Sequence, residues 1–207
     1  MAQFFQVHPE HPQPRLIKQA AEILRSGGLA AVPTDSAYSL VGVTGHAPLL
    51  DRIRQIRGVD DRHPFTLMCR DLSEIATYAR VDNAQYRLLK ATTPGSYTFI
   101  LEGTKELPRR LLHPKRKTIG LRIPAHPVVL ALLEELDEPL LTSTLILPGD
   151  AEPLLDAEDI RERLEKRVDL VIDAGPCGTE MTTVVNLASG EPEILRAGKG
   201  SVAPFGL

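Results

Sequence analysis

The chain has 207 residues, of which 43% are hydrophobic and 25% charged, with a formal net charge of −3. That length suits one domain, and that much apolar material excludes a disordered chain. No apolar run approaches the roughly 18 residues that cross a bilayer, which excludes a membrane-spanning helix.

In chain order, Met1-Ala2-Gln3-Phe4-Phe5-Gln6-Val7-His8-Pro9 lacks a basic and an apolar leader segment, so secretion is not expected. Residues 1 to about 13 are expected to form a short N-terminal arm on a single domain covering 1–207. Leu16, Ile17, Ala20, Ala21, Ile23 and Leu24 fall on one helical face, and Gly27-Gly28 stop that helix. Leu29 to Val32 reads as a buried strand ending at Pro33, and Tyr38 to Val43 as a second strand. Leu49, Leu50, Ile53 and Ile56 predict a helix that ends at Gly58. Phe65 to Cys69 is strand-like, Asp71 with Glu74 reads as a capping box, and Asp82 with Gln85 caps a helix to about Lys90.

Beyond the turn at Thr93-Pro94-Gly95, strands are predicted over Tyr97–Leu101 and Thr118–Ile123. His126-Pro127 starts a helix through Leu136, Leu140 to Leu147 is a strand, and Asp156 to Lys166 is an acidic amphipathic helix. Strands at Leu170–Ile172, Thr183–Leu187 and Glu193–Leu195 close the chain, the last two joined by a turn around Gly190. Alternating helices and strands followed by a β run predict an α/β domain with a mixed sheet.

The small net charge hides segregation. Lys105 to Arg122 holds seven Lys/Arg against Glu106, and Arg52 to Arg70 holds five arginines against Asp60 and Asp61. Glu134 to Glu165 holds eleven acids against Arg161 and Arg163. Such a distribution focuses positive potential locally. Aromatic residues are only 4% of the chain, so phosphate contact is better supported than base stacking.

Several chemistries are absent. There is no GxxxxGK[ST] loop, no GxGxxG and no GxSxG elbow. His8 and His11 are the only close histidine pair, too few ligands for a metal site. Cys69 ends an apolar strand as a core residue, and Cys177 sits in a Gly-Pro-Cys-Gly turn without a neighbouring base. Two cysteines form no disulfide framework, which fits a reducing cytoplasm.

Five short segments carry what chemistry remains. Thr34, Asp35 and Ser36 lie where a buried strand gives way to a turn, a place where hydroxyls and free amides hold polar ligands. An Asx or Ser turn explains the same residues without a ligand. Thr118 and Arg122 are four apart on an alternating strand and so share a face. An arginine there needs an anion, either a ligand or a surface salt bridge. Thr142 and Thr144 share one strand face, with Ser143 and Leu145 on the other. Thr182-Thr183-Val184-Val185-Asn186 and Leu195-Arg196-Ala197-Gly198 complete the set.

In order, these segments resemble the YrdC-like family, which includes the threonylcarbamoyl-AMP synthases, and the resemblance covers nearly the whole chain. Pro33 to Leu40 resembles the family's PTDTVYGL, Arg122-Ile123-Pro124 its RVP, and Thr142 to Ile146 its STSAN. Thr182 to Asn186 resembles STVVD, and Leu195 to Gly198 resembles LRxG. Phe65 to Ser73, Thr93 to Ile100 and Arg109 to Leu112 are most similar to the YciO-type subgroup.

The resemblance implies a twisted mixed α/β sheet with flanking helices around an open basic cavity. It further implies formation of L-threonylcarbamoyladenylate from ATP, bicarbonate and L-threonine, with Mg2+ accompanying the nucleotide, as a step of tRNA modification. Carried across, Ser36, Arg122, Thr142 and Thr182 would bind threonine. Thr34, Arg57, Thr118, Thr144 and Arg196 would bind the nucleotide.

Two departures stand out. The family's Lys-x-Arg is here Gln55-Ile56-Arg57, with Arg54 the nearest other cation, and its Ser-x-Asn is Thr144-Leu145-Ile146. The segment from Arg57 to Phe65 is also slightly longer than in the synthases. These losses keep a second reading open, a nucleotide-binding or double-stranded-RNA-binding protein without catalysis.

Overall fold

The computed structural model describes residues 1–207. The first half of the chain runs β1 (Gln3–Gln6), α1 (Pro14–Arg25), β2 (Ala30–Val32), β3 (Ser39–Val43), α2 (Pro48–Arg57), β4 (Thr66–Met68), α3 (Leu72–Tyr78) and α4 (Asn83–Thr92). The second half runs β5 (Tyr97–Glu102), β6 (Thr118–Arg122), α5 (Pro127–Leu136), β7 (Leu140–Thr144), α6 (Ala157–Leu164), β8 (Leu170–Asp173), β9 (Thr183–Asn186) and β10 (Glu193–Arg196). The strands form one sheet in the order β1-β8-β2-β3-β7-β4-β6-β5-β9-β10. Parallel pairs (β1–β8, β2–β8, β4–β6, β5–β9) mix with antiparallel ones, as the alternation of elements predicts.

Local chemistry sets the element ends. Pro14 at the first turn and Ile17, Ala20, Ala21 and Leu24 on one face make α1 an amphipathic helix. Gly58, at φ 64°, ends α2 in a Schellman motif, with Gly58 N–H donating to Gln55 O and Val59 N–H to Arg54 O. Asp82 and Gln85 form the reciprocal capping box of α4. At α3 only half of the expected box exists. Asp71 accepts from Glu74 N–H, but the Glu74 carboxylate takes Arg70 N–H instead.

Two other expectations are corrected. Residues 3–6, placed in the arm by sequence, form an edge strand registered in parallel on Leu170–Asp173. The strand predicted through Leu147 stops at Thr144: Leu145 N–H adds one more bond to β3 at the Tyr38 carbonyl, and Ile146 N–H then turns back to Thr144 O.

The sheet has apolar cover on both faces, but unequally. On one face, Leu40, Leu67, Phe99, Leu121, Leu141 and Val171 join residues of α2, α3, α4 and α6 in the larger core. On the other, Ala30, Val32, Val41, Met68, Leu140 and Leu170 meet α1 and α5. Strand alternation places Ser39, Thr66, Thr98, Gly120, Arg122, Thr142, Thr144 and Val184 on this same face. There the residues change from apolar to hydroxyl and guanidinium. The candidate site is this polar half of the face.

Candidate functional site

A cavity of about 180 Å³ lies over β3, β7, β4, β6, β5 and β9. Its wall includes Ser39, Arg57, His63, Thr66, Thr98, Arg122, Thr142, Ser143, Thr144, Thr182 and Arg196. Three guanidinium groups and one imidazole face it, and no carboxylate lines it. Gly120 floors it, since a Cβ there would stand 2.8 Å from Thr66 Oγ1 and 3.0 Å from Thr98 Cγ2.

Arg122 ends β6, and its side chain is 5% exposed. Nη2 donates to Asp35 Oδ1, Nη1 donates to Ser36 Oγ at 3.2 Å, and Nε has no partner. The anion that sequence demands for this arginine is therefore a buried carboxylate and not a surface salt bridge. Burial pulls the Arg122 pKa down, and the Asp35 carboxylate opposes that shift. Asp35 Oδ2 also accepts Ala125 N–H at 2.9 Å, which ties the 33–36 turn to the segment after β6. Thr142 Oγ1 is the second buried wall atom without a partner. A buried polar atom left unpaired costs about 1–3 kcal/mol, so both atoms fit a wall completed by a polar ligand.

Thr34 is deployed differently. Its hydroxyl accepts Ser36 N–H and Ala37 N–H, at 3.1 and 3.2 Å, and donates to Ala37 O at 2.6 Å. The turn consumes it, and the turn holds Ser36 and Asp35 against Arg122. Lys199 Nζ and Ser96 Oγ close on the Asp35 carbonyl from outside. Thr118 lies on the cavity face beside Gly120 but outside the wall itself.

Arg196 reaches the wall through an irregularity. Ile194 registers with Val185 and Arg196 with Val184, leaving Leu195 as a bulge. Strict alternation would put Arg196 on the same face as Ile194; the bulge turns it to the cavity face. Nε donates to Thr182 O at 3.0 Å and Nη2 to Thr182 Oγ1 at 3.1 Å, while Thr182 Oγ1 lies 2.7 Å from Thr98 Oγ1.

Arg57 comes from the last residue of α2. Nε donates to Ile146 O at 3.0 Å and Nη1 to Ser143 Oγ at 2.6 Å. Position 55, where the family has lysine, is exposed on α2 and faces away from the cavity. Arg54 stacks over the Phe65 ring at 5.4 Å, behind the wall. Two residues of the site carried no usable sequence signal. His63, in the wall, lies in a segment without periodicity, and Asp35, behind the wall, sits inside the turn motif with its partner 87 residues away.

The Sua5/YciO/YrdC family profile, described as telomere recombination, matches residues 22–198. YciO of Escherichia coli K12 is 54% identical over 205 residues, covering 99% of this chain and all of that protein. Its crystal structure matches with a TM-score of 0.95. The threonylcarbamoyl-AMP synthase of Bacillus subtilis is 29% identical over 88% of this chain, which spans 53% of that enzyme. Sua5 of P. abyssi complexed with L-threonine matches with a TM-score of 0.86 at 25% identity, over 94% of this chain and 57% of that one. Match, coverage and fold agree, and the chain belongs to the Sua5/YciO/YrdC family.

Proposed function

We propose that this cavity binds L-threonine and ATP and forms threonylcarbamoyl-adenylate. The observation that carries the reading is the wall itself, cationic, free of carboxylates, and holding two buried polar atoms without partners. A wall of this kind suits an amino-acid carboxylate beside a polyphosphate. The Sua5 complex with L-threonine and the synthase relatives supply the chemical class.

In this reaction the threonine amine adds to bicarbonate with loss of water, giving a carbamate. A carbamate oxygen then attacks the α-phosphorus of ATP, the bond to the β-phosphate oxygen breaks, and pyrophosphate leaves with that electron pair. Arg122, through its free Nε, and Thr142 would clamp the threonine carboxylate, with Ser36 and Thr182 flanking it. Arg196, Thr144 and Arg57 would hold the nucleotide, and Thr118 would meet it beyond Gly120. Thr34 would act through the turn that it locks. The protein's part is positioning and charge compensation.

No three His, Cys, Asp or Glu side chains converge in the chain. The donor set therefore does not fit a protein-held Mg2+, and a divalent ion would enter on the nucleotide phosphates as part of the substrate.

The test is direct: purified protein, ATP, Mg2+, L-threonine and labelled bicarbonate should give labelled adenylate, with threonine dependence. Absence of product at high enzyme concentration overturns the reading. A second reading, nucleotide or double-stranded-RNA binding without chemistry, is favoured by one feature, Ile146 in place of the family's asparagine. It predicts binding that weakens steeply with salt and no adenylate.

A further inference from the structure

The wall holds one titratable group that the proposed reaction does not yet use. His63 lines the cavity beside Arg57, and its Nε2 stands 3.4 Å from Ser143 Oγ and 3.5 Å from Arg57 Nη1. Its ring packs edge-on to Phe65 at 5.7 Å and 88°, which fixes its plane. The Schellman turn at Gly58 ends α2 immediately after Arg57, and the following segment returns His63 to it. Arg57 is itself anchored by Ile146 O and Ser143 Oγ through Nε and Nη1, so its Nη2 makes no bond within the protein.

We propose that Arg57, Ser143 and His63 form the subsite for the polyphosphate arm, with His63 as a phosphate-binding residue that takes up a proton when the anion arrives. This rests on the nucleotide reading above. It gives the site a conditional cation where Gln55, exposed and turned away, offers none.

The charges around the imidazole explain why the cation is conditional. Burial first, then Arg57 and Arg54 on α2, push the His63 pKa down to about 4, and Asp60 in the connecting segment opposes them. No carboxylate from β7 or β4 faces the ring. Without ligand, a third positive charge beside Arg57 and Arg54 is unfavourable and the imidazole stays neutral. A phosphate held by the free Arg57 Nη2 beside His63 reverses that balance, because its negative charge favours the imidazolium. Ligand binding and proton uptake are then linked: polyphosphate binds more tightly as pH falls toward 6, and bound polyphosphate raises the His63 pKa by the same free energy.

The experiment is an NMR titration of the His63 imidazole in full-length protein, without and with saturating inorganic pyrophosphate and no Mg2+. The proposal expects titration well below pH 6 in the free protein and a rise of about three units, to near neutrality, with pyrophosphate. His63→Gln should weaken pyrophosphate binding about tenfold at pH 6 and less at pH 8, a difference that a merely structural role would not produce. The far-UV circular dichroism spectrum of His63→Gln at pH 8 should equal wild type and shows that the variant is folded. A His63 resonance unmoved by saturating pyrophosphate, or no pyrophosphate binding at all, overturns the subsite. Adenylate formation is scored independently. Pyrophosphate-linked protonation without adenylate sinks the synthase reading and leaves the subsite standing.

Discussion

Asp35 and Arg122 form the most buried of the protein's ion pairs, with side-chain exposures of 10% and 5%. They join the turn after β2 to the end of β6, across the strands that floor the cavity. A guanidinium removed from water this far is stable only with its counter-charge. Asp35→Asn should therefore lower unfolding free energy by about 3–5 kcal/mol, the usual cost of stranding one partner of a buried pair. The double variant Asp35→Asn/Arg122→Met should recover most of that loss. Urea denaturation reads both, and an Asp35→Asn midpoint equal to wild type would show that the pair is not a structural tie.

Gly120 is expected to be intolerant of a side chain for a reason specific to the cavity. A Cβ at this position meets Thr66 Oγ1 and Thr98 Cγ2 from inside the wall. Gly120→Ala should cost about 1–3 kcal/mol through overpacking. It should also weaken nucleotide and threonine binding, because Thr66 and Thr98 must move into the space that a ligand would take. Calorimetric titration with each ligand checks this. Unchanged affinities with unchanged stability would mean that the floor is looser than its distances indicate.

His63 gives the protein an acid-side weakness. Its pKa in the fold is about 4, below the ordinary value near 6.5 of the unfolded chain. Between these values the unfolded state binds more protons than the native one, so stability rises with pH there. The contribution is complete above about pH 6.5 and is lost as pH falls toward 4. Comparing Tm against pH for wild type and His63→Gln isolates it, since other groups titrate in both. The two curves should diverge in slope between pH 6.5 and 4 and run parallel above 7. Parallel curves throughout would place His63 in contact with water.

The amino-acid pattern revealed the fold where burial enforces periodicity. Thr118-Ile119-Gly120-Leu121-Arg122 alternates because one face meets the core and the other the cavity, and Leu16 to Leu24 repeats because α1 covers the sheet. Gln3-Phe4-Phe5-Gln6 showed no such signal, being a short edge strand whose parallel partner lies far away in the chain. The hydroxyl and arginine positions of the wall were legible from their order in the chain. Their division of labour was not: Thr34, in the turn after β2, and Thr142, in the middle of β7, read alike as hydroxyl residues of the site, yet one hydroxyl is consumed by its turn and the other has no partner. The bulge that turns Arg196 inward depends on pairing with β9, which no local window contains.

Thr142 offers the sharpest separation of stability from binding. Its Oγ1 is buried in the wall without a hydrogen bond, so the ligand-free fold carries the cost of an unpaired hydroxyl. Thr142→Val replaces that hydroxyl with a methyl of nearly the same shape, on a strand where valine is favoured. Removing a polar group that has no partner in the fold should stabilise the free protein by about 1 kcal/mol. The same change removes a donor and acceptor from the wall beside Arg122, and threonine affinity should fall by about tenfold, equivalent to one lost hydrogen bond. Thermal unfolding without ligand and calorimetric titration with L-threonine give the two numbers on one sample. A variant both more stable and weaker in binding identifies the hydroxyl as one kept for its ligand. A less stable variant with undiminished affinity would mean that Thr142 serves the packing of β7 and that the carboxylate clamp lies elsewhere in the wall.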